Sequence, residues 1–195
     1  MNVDTQSDMN LDINSNSKGN VQSARKQDIQ RLVLAAFFVA LGLGLPFVTM
    51  HIPTVGQLLS PMHLPVLLCG LVCGPLYGGI VGLIVPIFRS FLFGMPMLFP
   101  TAIAMSFELM TYGLVSGFIY KKTNNSIASI YLSLIPAMIL GRIIGGMVQA
   151  VLLGGKYTIS TFVTAYFINT FPGIILQLIL IPIIMAAIGK IKHIK

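Results

Sequence analysis

His63, Arg89 and Glu108 stand inside the stretch 61–120, PMHLPVLLCGLVCGPLYGGIVGLIVPIFRSFLFGMPMLFPTAIAMSFELMTYGLVSGFIY, where nearly every other residue is apolar or small; Arg142 stands in a later apolar segment. Glutamate and histidine can exchange a proton, and arginine offers paired N–H donors to a carboxylate or phosphate. A charge in hydrocarbon costs at least a few kcal/mol, so it is kept only with a partner or a task. Tyr112 follows Glu108 by four residues and Gln149 follows Arg142 by seven, so each shares a helix face with the charge before it. Asn169, just before the helix-breaking Phe171-Pro172-Gly173, completes the candidate set.

The elements that must position these groups are membrane helices. The chain has 195 residues, 55% hydrophobic and 9% charged, with mean hydropathy +0.89. A soluble domain carries about 25% charged residues. The segments are apolar on all sides and do not alternate as barrel strands do. The expected fold class is therefore all-α: an integral membrane bundle of six transmembrane helices. Residues 1–28 are polar and rich in Asn, Ser and Asp, and read as a disordered tail ahead of a membrane domain at 29–195. They do not form a signal peptide, since the polar leader is too long for one.

The spans are read at about 31–50, 61–73, 76–93, 101–120, 127–153 and 160–188, the last broken near Phe171-Pro172-Gly173. Residues 49–60, TMHIPTVGQLLS, are too irregular to span and read as an external loop able to fold over a pocket. The second span is short for the ~20 residues a crossing needs. Gly74-Pro75 makes a tight turn after it, and Gly70, Gly74, Gly78 and Gly82 form a small-residue stripe for close helix crossing. Cys69 and Cys73 read as small core residues, with no polar surroundings for redox or metal chemistry.

Charge fixes the orientation. Asp4, Asp8, Asp12 and Asp28 lie in the leader, and Glu108 is the only later acid. Arg25, Lys26, Arg31, Lys121, Lys122, Lys190, Lys192 and Lys195 fall on one side of the spans and only Lys156 on the other, which places both termini in the cytoplasm. The basic excess is thus an orientation signal and not one for nucleic acid. With a rise of ~1.5 Å per residue, Arg89 lies roughly 20 Å and Arg142 roughly 22 Å from the inner face, and Glu108 roughly 10 Å below the outer one. His63 is near the outer end of its helix. Ionisable groups on four helices therefore share the outer half, as a cavity open to the outside requires. Each also has a plainer explanation: Arg89 snorkelling to the headgroups, Glu108 and Arg142 neutralising one another, His63 satisfied at the interface. Two arginines against one glutamate leave a surplus positive charge, which suits a carboxylate- or phosphate-bearing ligand.

Several motifs are missing: a Walker-type phosphate loop, HExxH, GxSxG, and any cluster with metal-ligand spacing. No cofactor or metal is expected, and the chain carries no motor of its own. The segment PMH-PVLL-G-x3-GP-x-YG-x3-G, followed by R-x4-GMP and FEL-x2-YGL-x2-G-x2-YK, with Ala36-xxx-Ala40 on the first helix, resembles the substrate-binding S components of energy-coupling factor (ECF) vitamin transporters of Gram-positive bacteria over about residues 31–190. That resemblance implies a plasma-membrane subunit that captures a vitamin or precursor near the outer surface. It implies docking through Ala36 and Ala40 on a transmembrane coupling subunit driven by two ATPases, with residues 49–60 as the lid. Pantothenate fits the surplus positive charge; a cobalamin precursor, a pyridoxine-type compound or a thiamine precursor remain open. Two other classes compete. One is a membrane-embedded enzyme with Glu108 and His63 as acid and base. The other is a helix-packing subunit without ligand, against which stands the cost of keeping Arg89, Glu108 and Arg142 in the membrane.

Overall fold

A computed structural model describes residues 3–49, 61–124, 126–154 and 157–193, and among these it is all-helical. The helices are α1 (Val3–Thr49), α2 (His63–Cys73), α3 (Pro75–Phe93), α4 (Ile103–Lys122, entered through a π-helical turn at Leu98–Ala102), α5 (Ile127–Leu153), α6 (Ile159–Val163, continued by a π turn at Thr164–Ile168) and α7 (Phe171–His193). Five segments are long and apolar enough to cross a membrane: Val21–Pro46, Pro75–Phe93, Leu98–Lys122, Ile127–Leu153 and Ile159–Ile188. α2 is the short sixth. Helix α1 extends back through the polar leader, which was expected to lack structure. Gly19 is the one glycine there, and no proline precedes Pro46. Of the expected lid, residues 49–60, Thr49 ends α1 and residues 50–60 lie outside the described residues.

The bundle is built around α2. Every residue of α2 is buried except Leu64 and Val72, which are half-buried, so the helix has no polar outer face. Val66, Leu67 and Cys69 pack in one core with Val85 of α3, Leu109 and Tyr112 of α4, Leu134 and Ala137 of α5 and Ile181 of α7. Both cysteines are free and buried. Outside, Phe88, Phe91, Leu132, Ile139, Val151 and Ile183 are exposed, as side chains facing hydrocarbon must be.

The crossing of α2, α3 and α4 depends on glycine. A Cβ on Gly78 would stand 2.5 Å from the Gly70 Cα, and one on Gly117 would stand 2.6 Å from the Gly70 carbonyl oxygen. Such backbone contact leaves no room for a side chain. Gly74 has a different task. An added Cβ there would meet nothing within 4 Å, but its φ of 99° is what turns the chain between α2 and α3. Gly78→Ala is expected to cost about 1–3 kcal/mol of stability through overpacking against backbone. Gly44→Ala, where the added carbon meets nothing, is the control. Thermal melting of the two variants in detergent would check this, and equal melting temperatures would refute it.

Candidate functional site

The site begins where α4 lies against α5. Gly145 and Gly141 of α5 present bare backbone to α4. A Cβ on Gly145 would sit 2.8 Å from the Glu108 Cβ, and a Cβ on Gly141 would clash with the Tyr112 ring. These two glycines fix the depth and lateral position of the Glu108–Tyr112 turn. Glu108 is 4% exposed, and its Oε1 accepts a 2.7 Å hydrogen bond from the Tyr112 hydroxyl, one helical turn away. His63, at the first turn of α2, places its Nε2 3.7 Å from the same oxygen and its ring 5.5 Å from that of Tyr112. That Nε2 separation is too long for a hydrogen bond.

Arg142 follows directly after Gly141 on α5 and is 2% exposed. Its Nη1 donates to the Thr170 hydroxyl at the head of α7, and its guanidinium carbon lies 5.9 Å from the Phe167 ring. The Thr170 hydroxyl in turn donates to the Tyr166 carbonyl at 2.7 Å. One level nearer the chain's α5–α6 turn, the Tyr166 hydroxyl donates to Gln149 Oε1 at 2.7 Å. The last helical segment is thus joined to α5 by two polar links, Gln149–Tyr166 and Arg142–Thr170. Tyr112 lies within interaction range of both Glu108 and Arg142, and Tyr166 within range of Glu108, Tyr157 and Arg142. Burial first, and the nearby Glu108 second, hold the Tyr157 phenol above its ordinary range, so it stays protonated as a donor near neutral pH.

Of the residues singled out in the sequence, the structure gathers His63, Glu108, Tyr112, Arg142 and Gln149 around this one corner. Arg89 is buried but turned to α1: it donates to the Leu43 carbonyl at 3.4 Å and lies 6.0 Å from the Phe93 ring. Asn169 is exposed, and its neighbour Thr170 takes the inward position. Tyr157, Tyr166 and Thr170 belong to the corner and were not read from the sequence. The signal for two of them was there, since Tyr166 and Thr170 are four apart and share one face across the break in the last span.

Two features say what the corner can do. Among the described residues, Arg142 makes no ion pair with a carboxylate; the one charge contact of Glu108 there is with His63. And three buried polar atoms of the corner have no hydrogen-bond partner among the described residues: His63 Nδ1, Arg142 Nε and the Tyr157 hydroxyl. Buried polar groups are almost always bonded, so three orphans in one place make this corner the candidate site for a polar solute. Beside Arg142, between α5 and α7, lies a 110 Å³ hollow lined by Ile135, Met138, Ile139, Phe167, Ile174 and Leu178. Ile135, Ile139 and Phe167 are exposed, so the hollow opens toward the outside of the bundle. No group of residues able to hold a metal ion occurs among the described ones.

Gly145→Val is expected to weaken solute binding about tenfold, the equivalent of some 1.4 kcal/mol, because the added carbons force Glu108 off its position. Binding isotherms of wild type and variant would test this; unchanged affinity would show that the Glu108 position is immaterial.

No curated protein and no solved structure matches the chain. The family model described as ECF transporter, substrate-specific component matches residues 30–185, which reaches from within the first apolar span to within the last and includes every residue of the corner. S components of this family are membrane subunits of importers and not enzymes; they bind a small-molecule substrate and associate with a coupling subunit and ATPases. A multi-pass helical chain with a polar corner built from four of its helices has the form such a subunit needs, and the chain belongs to the family of ECF transporter substrate-specific components.

Proposed function

We propose that this chain captures an anionic vitamin or vitamin precursor at the outer face of the cell membrane, with both termini in the cytoplasm, and passes it to an ATP-driven coupling module. The observation that carries the reading is Arg142: buried, held in place by Thr170, without a carboxylate partner among the described residues, and with its Nε unbonded. A guanidinium so placed is a ready half of a charge-assisted pair with a carboxylate or phosphate. Among the described residues Glu108 forms no ion pair with it: that carboxylate accepts a hydrogen bond from Tyr112 and lies 3.7 Å from His63 Nε2. It is free to accept a hydroxyl or amide N–H from the same solute. A compact molecule with one carboxylate and several hydroxyl or amide groups matches this set, and pantothenate is the first candidate. Ala36 and Ala40 would meet the coupling subunit, and residues 49–60 would close over the site.

The test is binding of radiolabelled pantothenate to the purified full-length chain, together with mass spectrometry of small molecules that co-purify with it. Recovery of a carboxylate- or phosphate-bearing metabolite is the expected result. A chain that retains only cationic molecules would overturn the charge argument. Turnover of a bound molecule without any partner protein would point instead to Glu108 and His63 as an acid–base pair.

A further inference from the structure

The connection between α3 and α4 is apolar and turned outward. Residues 91–100 read FLFGMPMLFP, without one charged or hydrogen-bonding side chain. Phe91, Leu92, Met95, Met97, Leu98 and Phe99 are between 40% and 70% exposed. Other connections of the chain differ: 121–126 reads KKTNNS and 154–157 reads GGKY. An exposed apolar patch marks a surface that meets a protein or a membrane. A protein-binding patch carries a polar rim around its apolar centre. Here the neighbouring Ser90 is buried and Arg89 is turned to α1. What borders the patch is the lipid-facing side of α3 and α4, at the exposed Phe88 and Phe107. The apolar surface therefore continues from the helices onto the connection. Length agrees with this. α3 has 19 residues and is about 28 Å long, against a hydrocarbon core of about 30 Å. Its end at Phe93 thus emerges at the edge of the core and not in bulk water. The backbone suits such a place: the Gly94 N–H donates to the Ser90 carbonyl and the Ala102 N–H to the Met97 carbonyl, each at 2.9 Å, and Pro96 and Pro100 have no N–H to leave unpaired.

We propose that residues 91–99 are a membrane anchor whose partner is the lipid surface. Its backbone lies at the level of the headgroups, on the side of the membrane opposite Lys121 and Lys122. The side chains of Met95, Met97, Leu98 and Phe99 enter the upper acyl chains there. Segments that lie in the interface hold on by the apolar area they bury, supplemented by headgroup charge where they carry basic residues. This one carries none, so its recognition is apolar. The anchor goes beyond the solute-capturing reading and does not depend on it. It does bear on the corner described above. Glu108 lies five residues, roughly 8 Å, beyond the start of α4 at Ile103. An anchor at the head of that helix holds the Glu108 turn at a set distance from the membrane surface.

The chain has no tryptophan, so a single introduced indole reports its own surroundings. Met97→Trp and Met95→Trp probe the connection, and the second keeps the test alive if the first fails to fold. Leu132→Trp, on the exposed apolar side of α5, is the reference for lipid, and Asn124→Trp, exposed in the polar connection before α5, is the reference for water. Each full-length variant is placed in vesicles of phosphatidylcholine and phosphatidylglycerol. Fluorescence is read with iodide on both sides of the membrane, and separately with phosphatidylcholine brominated near the top of its acyl chains. The expected result is that brominated lipid quenches Met97→Trp and Met95→Trp as strongly as Leu132→Trp. Iodide should leave both bright while it quenches Asn124→Trp, and their emission should lie to the blue of Asn124→Trp. Quenching by iodide to the level of Asn124→Trp would put the connection in water and overturn the proposal. Indoles that neither quencher reaches would show the patch covered by protein, either this chain or a second copy, and would overturn it equally.

Discussion

Arg142→Ala is expected to abolish most solute binding while leaving the folded chain and its assembly with the coupling module intact. Truncating one member of a buried, hydrogen-bonded charge pair costs about 2–5 kcal/mol, or roughly thirty- to several-thousand-fold in affinity. The loss should be larger than for Gly145→Val, which shifts a neighbour but removes no charge. Stability should not follow affinity. In the free protein the guanidinium is bonded to Thr170 and leaves its Nε unsatisfied, so its removal takes a desolvated charge out of the membrane. Arg142→Lys separates charge from geometry: an ammonium keeps the sign but cannot form the two parallel bonds of a guanidinium, so affinity should fall between the two. Isothermal titration with the co-purified solute would measure all three. Wild-type affinity in Arg142→Ala would remove the residue from the site and with it the case for an anionic solute.

Depth in the membrane could be read from the sequence; direction around the helix could not. Hydropathy shows that Glu108 and Arg142 lie inside apolar runs, and counting residues from the span ends gives their level, because rise per residue is constant. The structure then puts Glu108, Tyr112, Arg142, Gln149 and His63 at one corner. Facing is another matter. In a water-soluble helix the polar side shows which way is out, but these helices are apolar on every side, and nothing in the pattern marks the lipid face. Arg89 satisfies the depth argument and still points to α1. Asn169 was preferred as the polar residue beside the chain break, and the one-residue step to Thr170 moves the side chain by about 100°. The glycines were legible as a stripe. Which of them touch backbone, Gly78 and Gly117, and which merely turns the chain, Gly74, needed the positions of α2 and α4.

The second large effect concerns the opposite side of the molecule. On α1, Ala35, Phe38 and Gly42 face inward, with an added carbon on Gly42 coming 3.0 Å from Val85, whereas Ala36, Ala40 and Gly44 are exposed in a row at four-residue spacing. Lipid contact does not require small side chains, and neighbouring exposed positions of the same helix hold Leu32, Val33 and Phe37. A flat strip on an outward face is what lets another helix approach to backbone distance, where van der Waals contact supplies the association energy that lipid-matched side chains cannot. Ala40→Leu should therefore block uptake in cells while leaving solute binding by the isolated chain unchanged, and Ala36→Leu should do the same. The pattern is the reverse of that expected for Arg142→Ala, and the pair separates capture from coupling. Uptake of the co-purified solute and its binding to purified protein would be measured on the same variants, and co-purification with the coupling subunit would locate the defect. Normal uptake by Ala40→Leu would place the docking face elsewhere on the bundle. Parallel loss of binding would show that α1 supports the solute site from behind, through α2 and α3, and not the partner.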